Sequence, residues 1–287
     1  MTVADYELTF QGLTFGAGTV WPIAEDGITG LEELPPIRSG DQARAYAHGE
    51  MPGLDLAAGR TILVPLNVFD SGAGDFAVNV EKLKTITAPL TVEQPLAFTL
   101  PGRNPRTLNC RPRRRSLPVD LQYSFRYGRA VIEFHATDPR IYDATFTSST
   151  LALPSAATGL TFPATAPFVF GSTGTGGTAT FANAGNCPAP WIAQIIGPVT
   201  NPVVTLAATG QAVVINGTVN AGETLTIDSL SRTVLLGTAS RASWVGSTTV
   251  WWELPAATIA GPTTSTAQFG AASGTGTCTF STRSTWL

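Results

Sequence analysis

The sequence predicts a mainly β protein of two domains, with a β-barrel-like first domain that carries one helix and a β-sandwich (jelly roll) as the second. The 287 residues include 29 glycines and 21 prolines, a composition that favours many turns and few long helices. Apolar and polar residues alternate in short runs along much of the chain, which is the period of strands. Hydrophobic residues make up 43% of the chain, enough for folded cores.

Charge divides the chain into two parts. Residues 1–150 contain 14 Lys and Arg and 17 Asp and Glu, whereas residues 151–287 contain three basic and three acidic residues. Such a shift in composition indicates a domain boundary, and we predict domains over residues 1–148 and 149–287. The segment Ser148–Ser155 is expected to be a linker or the first strand of the second domain.

Four strands of the first domain follow from alternating apolar residues. The first includes Tyr6–Phe10, and the second includes Ile62–Val68, which its internal proline places at an edge. Residues Val119–Tyr127 alternate most strictly, and Gly128-Arg129 follows as a turn into Ile132–Ala136. This last pair predicts a β-hairpin.

One helix is expected in this domain. Phe76, Val80, Leu83 and Thr87 recur at helical spacing. Asp75 is placed to cap the start of this helix, and a proline at position 89 ends it.

The second domain shows short β-rich segments about ten residues apart, separated by polar turns, a pattern typical of a sandwich. They are Phe168–Phe170, Ala179–Ala182, Trp191–Ile196, Val203–Leu206, Val213–Asn216, Leu225–Ile227, Val234–Leu236 and Val250–Leu254.

The residues with reactive side chains form no catalytic pattern. The two histidines, His48 and His135, are scattered, and neither HExxH nor GxSxG occurs. The three cysteines are too widely spaced for a metal clip. We therefore expect no enzyme, cofactor or metal. The net charge of −3 argues against a global field for nucleic acid, and neither a membrane span nor a signal peptide is expected, so the chain should fold in a cytoplasm.

A basic cluster lies in the first domain, at Arg111, Arg113, Arg114 and Arg115. These side chains could contact phosphate or form ion pairs, within the chain or with a neighbouring copy. We favour ion pairs, because arginine suits bidentate pairing at interfaces.

Four tryptophans of the second domain are candidates for carbohydrate binding: Trp191, Trp244, Trp251 and Trp252. Core packing or subunit contact is the alternative that we favour. Trp251 and Trp252 are adjacent on a predicted strand, so one should face the core and the other the surface.

The order of these features resembles the distal tail proteins (minor tail proteins) of phages with long non-contractile tails, as found in phages of actinobacteria. The resemblance rests on several segments taken together. In the first domain they are Arg38, Gly53-Leu54-Asp55, Arg60 before Thr61–Val68, the helix before Pro89, Arg111–Arg115 and Ala136–Tyr142; in the second they are Asn183–Pro190, Ile196-Gly197-Pro198, Asn201-Pro202, Ala221–Leu225, Ile227-Asp228 and Arg232-Thr233-Val234. The last 30 or so residues depart from the family pattern.

The resemblance implies a first domain that forms a ring, typically a hexamer, and a galectin-like second domain. Such a ring joins the tail tube protein to the tip hub and to other minor tail or receptor-binding proteins, and phage DNA passes through its lumen without specific binding. The expected location is the virion tail tip. The basic cluster would then lie at a protomer interface or at the lumen. The rival interpretation is a module that recognises cell-wall carbohydrate of the host; a tail-associated hydrolase is a weaker one.

Overall fold

The structure, a computed structural model, describes residues 6–72, 74–153 and 177–287. The chain divides into two compact units, one of residues 1–144 with Leu287 and one of residues 145–286. The expected segment Phe168–Phe170 lies outside the described residues. The expected boundary after residue 148 stays a prediction, and strand pairing in the second unit begins at Thr147.

The first unit consists of antiparallel strands and two helices. Their bounds are β1 Glu7–Phe10, β2 Leu13–Phe15, β3 Ile37–Arg38, β4 Gln42–Ala43, β5 Glu50–Met51, β6 Leu56–Ala57, β7 Arg60–Phe69, α1 Phe76–Ile86, β8 Gln94–Thr99, β9 Arg106–Ser116, α2 Leu121–Ser124, β10 Tyr127–Ala136 and β11 Ile141–Asp143.

A curled sheet forms the body of the first unit, in the order β2-β1-β8-β9-β10-β7. Strand β9 produces the curl, because its first half pairs with β8 and its second half with β10. The alternate residues that face inward, such as Phe10, Ile62 and Phe134, are fully buried. Strand β7 is the edge strand of the sheet, as its proline predicts. Residues 23 and 29 each form an isolated β-bridge with it.

Helix α1 forms where the spacing predicts it. Phe76, Val80 and Leu83 are its buried side chains, together with Asn79. The capping role predicted for Asp75 is wrong. Its carboxylate accepts hydrogen bonds from the backbone N–H and the hydroxyl of Ser71, and no side-chain bond reaches the first turn of the helix.

The predicted hairpin around Gly128-Arg129 is also wrong. Asp120 accepts a hydrogen bond from the Tyr123 N–H and starts the short helix α2. Tyr123 packs edge-on against Phe76 at 5.0 Å between ring centroids. A local cap and one ring contact thus override the alternation, and the residues predicted as a turn lie inside strand β10.

The second unit is a β-sandwich. Its elements are β12 Thr147–Ala152, β13 Thr178–Asn183, β14 Trp191–Ile196, β15 Val199–Leu206, β16 Ala212–Val214, β17 Thr218–Val219, β18 Thr224–Asp228, β19 Thr233–Leu236, β20 Ala239–Ser240, a 3-10 turn at Ala242–Trp244, β21 Thr263–Gly274, β22 Thr277–Thr282 and β23 Thr285–Trp286.

Two sheets enclose one core in this unit. The first has the order β12-β22-β14-β18-β19-β20, and the second has the order β13-β21-β15-β16, with β17 also paired to β15. Inward residues of both sheets form a single buried cluster that includes Trp191, Phe269 and Phe280. The late strands β21 and β22 pair on both sides, so the residues that depart from the family pattern are central to the sandwich.

The strand predicted at Val250–Leu254 does not form. Only Leu254 makes a bridge, to Ala189. The reason is that Trp252 turns into the core and donates its indole N–H to the carbonyl of Val204, while the backbone of Val250 bonds instead to Ala212.

Candidate functional site

The basic cluster lies on strand β9 at an irregularity of the ladder. Glu133 is opposite Arg114, whereas the next residue, Phe134, is opposite Pro112. Arg113 is therefore the extra residue of a β-bulge, a feature that redirects side chains. Both Arg113 and Arg114 are exposed.

The other two arginines of the cluster point elsewhere. Arg115 donates from Nη1 to the carbonyl of Lys84 and to the hydroxyl of Thr87, at the end of α1. A cation there complements the helix dipole. Arg111 is half-buried opposite His135. Within the described residues no ion pair involves Arg113 or Arg114.

Arg114 borders a shallow depression of about 380 Å³ on the outer face of the sheet. Its other lining residues are Leu63, Ser116, Val131 and Glu133. Leu63 is 40% exposed and Val131 37%. Apolar side chains flanked by one cation and one anion resemble the composition of a protein interface rather than a phosphate site.

Other arginines of the first unit form ion pairs within the chain. Arg103 pairs with Glu32 at 2.9 Å, Arg126 pairs with Asp70 at 3.1 Å, and Arg129 pairs with Asp26. These pairs are exposed and contribute little to stability. Arg113 and Arg114 have no such ion pair among the described residues, so both are open to an outside partner.

Two exposed apolar segments were not identified as a site from the sequence. The apolar arm comprises residues 37–57, where β3 pairs with β6 and β4 with β5; Tyr46 and Leu54 are 103% and 74% exposed. The apolar loop comprises residues 117–126, where Val119, Leu121 and Phe125 are 74–81% exposed. The alternation of apolar and polar residues in this loop predicts a half-buried strand, so the sequence does not predict that these side chains are exposed.

Burial divides the four candidate tryptophans. Trp191 and Trp252 are 1% and 3% exposed and pack with Phe280 in the core, so their faces cannot stack on a sugar. The guanidinium of Arg241 lies 5.3 Å from the ring centre of Trp244, and the ring lies against Gly217. Trp251 and Trp252 both line an open cleft, and Trp251 is the half-buried one of the two, because Trp252 is 3% exposed.

The cleft around Trp251 has a volume of about 430 Å³. Polar groups of several types line it together with the indole and two prolines: Gln211, Ser229, Arg232 and Glu253. Arg232 is exposed and has a left-handed backbone with φ +54. Such strain in a non-glycine residue is often found at functional positions.

The buried thiols are structural. Burial raises the pKa of Cys110 and of Cys278 to about 12, so both stay protonated and unreactive. The described residues contain no group of three or more His, Cys, Asp and Glu side chains suited to a metal. No helix among them has the length and apolar character to cross a membrane.

Comparison with known proteins gives a match to the family described as siphovirus-type tail component, C-terminal domain, over residues 184–281. The matched residues lie within the second unit, and we call residues 184–281 the tail-component domain. The resemblance to distal tail proteins, and with it the expectation of a protein of the virion tail, is thereby confirmed. The tail-component domain includes residues 184–190, the cleft around Trp251, all of strand β21 and most of strand β22.

Solved structures extend the fold match to the whole chain. The Dit protein of phage SPP1, described as a paradigm of hub adsorption apparatus in phages that infect Gram-positive bacteria, has TM-score 0.66 and 14% identity, over 98% of this chain and 99% of that one. A chain of the phage P2 baseplate in its activated conformation with Ca has TM-score 0.52 and 10% identity, over 97% of each chain. These matches confirm the mainly β fold. No curated protein sequence matches the chain.

Proposed function

We propose that this chain is a structural protein of the phage tail tip, in which the first domain closes a ring, six copies being the expected number, that joins the tail tube to the tip. The tail-component domain supports a role in the tail. The hub and baseplate proteins with the same fold support its position at the tip. The role is structural, with no bond made or broken.

Exposed apolar surface of the first unit is the observation that carries the ring. A closed ring with one kind of contact needs two different complementary faces on each protomer. The apolar arm and the apolar loop are two separate segments that expose large side chains, among them Tyr46, Leu54, Leu121 and Phe125. Such exposure is typical of surfaces that are covered by a partner.

Arg113 and Arg114 give the ring a charged contact in this proposal. Their chain contains an acidic excess, so a neighbouring protomer can supply carboxylates, and buried or half-buried arginine pairs fix the register of an interface. The lumen is the other location consistent with two exposed cations, and there they would face passing DNA without reading its sequence.

Counting subunits in virions tests the proposal. Quantitative mass spectrometry of purified virions should give about six copies of this chain per tail, as one closed ring requires. One or two copies per tail would contradict a ring. Arg113→Glu with Arg114→Glu should weaken assembly of the purified chain, and Lys82→Glu, an exposed charge change on α1, is the matched control.

A second candidate function is recognition of host-envelope carbohydrate by the tail-component domain. It is favoured by one specific observation, a half-exposed aromatic ring beside arginine, glutamine and glutamate side chains in a cleft. This role is compatible with the ring, because the two functions belong to different domains.

A further inference from the structure

We propose that the cleft around Trp251 binds one neutral hexopyranose unit of an envelope polysaccharide. The proposal rests on the second candidate function and names its site and ligand class. It does not depend on the ring, because every residue that lines the cleft belongs to the tail-component domain.

The aromatic platform is held rigidly. The N–H of Val250 donates to the carbonyl of Ala212 at 2.9 Å, on one side of Trp251. On the other side Trp252 is locked in the core, and Leu254 exchanges two backbone hydrogen bonds with Ala189 at 2.8 and 2.9 Å. A platform that is ordered before binding loses little entropy when a sugar stacks on it.

Hydrogen bonds also hold the turn that precedes Arg232, the cation of the cleft. Arg232 follows a turn in which Asp228 accepts hydrogen bonds from the backbone N–H groups of Leu230 and Ser231. Ser229 fixes the same turn to the core, since its hydroxyl accepts from the N–H of Trp191 at 2.7 Å. A well-bonded turn therefore precedes the left-handed backbone of Arg232, and Arg232 lines the cleft.

The polar groups match sugar hydroxyls, which both donate and accept hydrogen bonds. Arg232 can only donate, an ionised Glu253 can only accept, and Gln211 can do both. The positive and the negative charge balance, so the cleft offers no net charge to a uronic acid or a phosphate. In a domain with only three basic and three acidic residues, the presence of one of each beside the half-exposed indole of Trp251 favours a neutral polar ligand.

The volume of the cleft is sufficient for about one sugar ring. At about 430 Å³ the cleft lies near the lower end of ligand pockets, which span about 300–1,000 Å³. The prolines at positions 188 and 255 add apolar walls beside the indole. A pyranose has the matching shape, with an apolar face of C–H groups and a rim of hydroxyls.

Saturation-transfer NMR of the full chain with the methyl pyranosides of galactose, glucose and mannose tests the site. At least one should bind at millimolar concentration, and Trp251→Ala should weaken it about fivefold or more, as expected for the loss of a stacked ring. Trp244→Phe is the matched control and should leave binding unchanged. Arg232→Gly provides a second test that preserves the fold, because glycine accepts the positive φ, and it should also weaken binding.

The outcomes separate this proposal from the ring. No transfer from any of the three sugars, or binding that neither Trp251→Ala nor Arg232→Gly weakens, would overturn the sugar site. The mass of the assembled chain is measured on the same samples, and Trp251→Ala should leave it unchanged. Failure of the wild-type chain to assemble would count against the ring and leave the result for the sugar site intact.

Discussion

Both domains bury an apolar core, but the first exposes more large apolar side chains than the second. In the first, the apolar arm and the apolar loop expose large residues such as Tyr46 and Phe125. In the second, inward residues of both sheets form one buried cluster, and Trp251 lines a cleft of about 430 Å³. This difference is what the two proposals require, since a ring must cover exposed apolar surface of the first domain, whereas a sugar needs only a small cleft in the second.

Polar groups inside the two domains show a parallel difference. Asn183 is fully buried and uses both ends of its amide, donating to the carbonyls of Cys187 and Pro255 and accepting from the N–H groups of Gly185 and Thr285. Arg60 is 2% exposed and donates to four backbone carbonyls, but its Nη2 has no partner among the described residues. The second domain thus satisfies its buried polar groups more completely.

The largest expected effect concerns the apolar loop. Leu121→Asp with Phe125→Asp places charges on a surface that the ring must bury, so assembly should fall at least about a hundredfold. Thermal stability of the subunit should change little, because both side chains are exposed. Mass photometry measures the assembly. Ile259→Asp, at a fully exposed position of the second domain, is the control; equal loss of assembly in both variants would contradict the comparison.

The next effect is on the stability of the second domain. Asn183→Ala removes four hydrogen bonds and leaves buried backbone groups without partners, which should cost about 3 kcal/mol of unfolding free energy. Hydrogen exchange of peptides from β14 measures it. Asn220→Ala, at an exposed turn where the side chain bonds to Glu223, should cost less than about 1 kcal/mol. Similar losses for both variants would show that Asn183 is not the anchor of the turn.

In the first domain, Arg60 is the buried polar residue that corresponds to Asn183 of the second. Arg60→Met removes donors to the carbonyls of Gly30, Leu31, Glu33 and Pro139. It also relieves the cost of a buried cation, which lowers the pKa of Arg60. The net loss should be about 2 kcal/mol, smaller than for Asn183→Ala. Hydrogen exchange of β7 peptides checks this, and an increase in stability would reverse the assignment of Arg60 as an anchor.

The smallest expected effect is the loss of stability at high pH. It should be equal in the two domains, because each of them buries one thiol. Burial raises the pKa of Cys110 and Cys278 from 9.0 to about 12. The unfolded chain therefore releases these protons first as pH rises through 9, and stability falls between pH 9 and 12. At pH 10 each domain should lose about 1 kcal/mol. Thiol labelling at neutral pH should modify Cys187, which is half-buried, well before the other two.

The spacing of apolar residues predicts some helices and strands correctly. It fails where another local interaction, or the pairing of strands, decides the structure. Helix α1 and strand β14 form where spacing places them. Residues 119–127 have the best alternation but follow a local cap at Asp120. Strand β21 is not predicted from the sequence, because small residues such as Ser265 and Ala267 fill several of its buried positions. Alternation shows only which side chains are apolar or polar. Whether such a segment becomes a strand depends on its pairing with a long neighbouring strand.

Candidate sites were predicted only in part for the same reason. The sequence identified the arginine cluster and the tryptophans, but burial and ring contacts decide which members can meet a partner. Only the fold shows that Arg115 bonds to the end of α1 or that Trp252 lies in the core. Arg232 and Gln211 reach the cleft from separate turns, and no spacing in sequence brings them together.

Electron microscopy of the purified full chain, with its mass measured in parallel, tests the central claim most directly. We expect closed rings with a central hole and a mass of about six times that of one 30.0 kDa subunit. The Leu121→Asp, Phe125→Asp chain should give single subunits under the same conditions. Single subunits for the wild-type chain at every concentration, together with one copy per tail in virions, would contradict a first domain built for assembly.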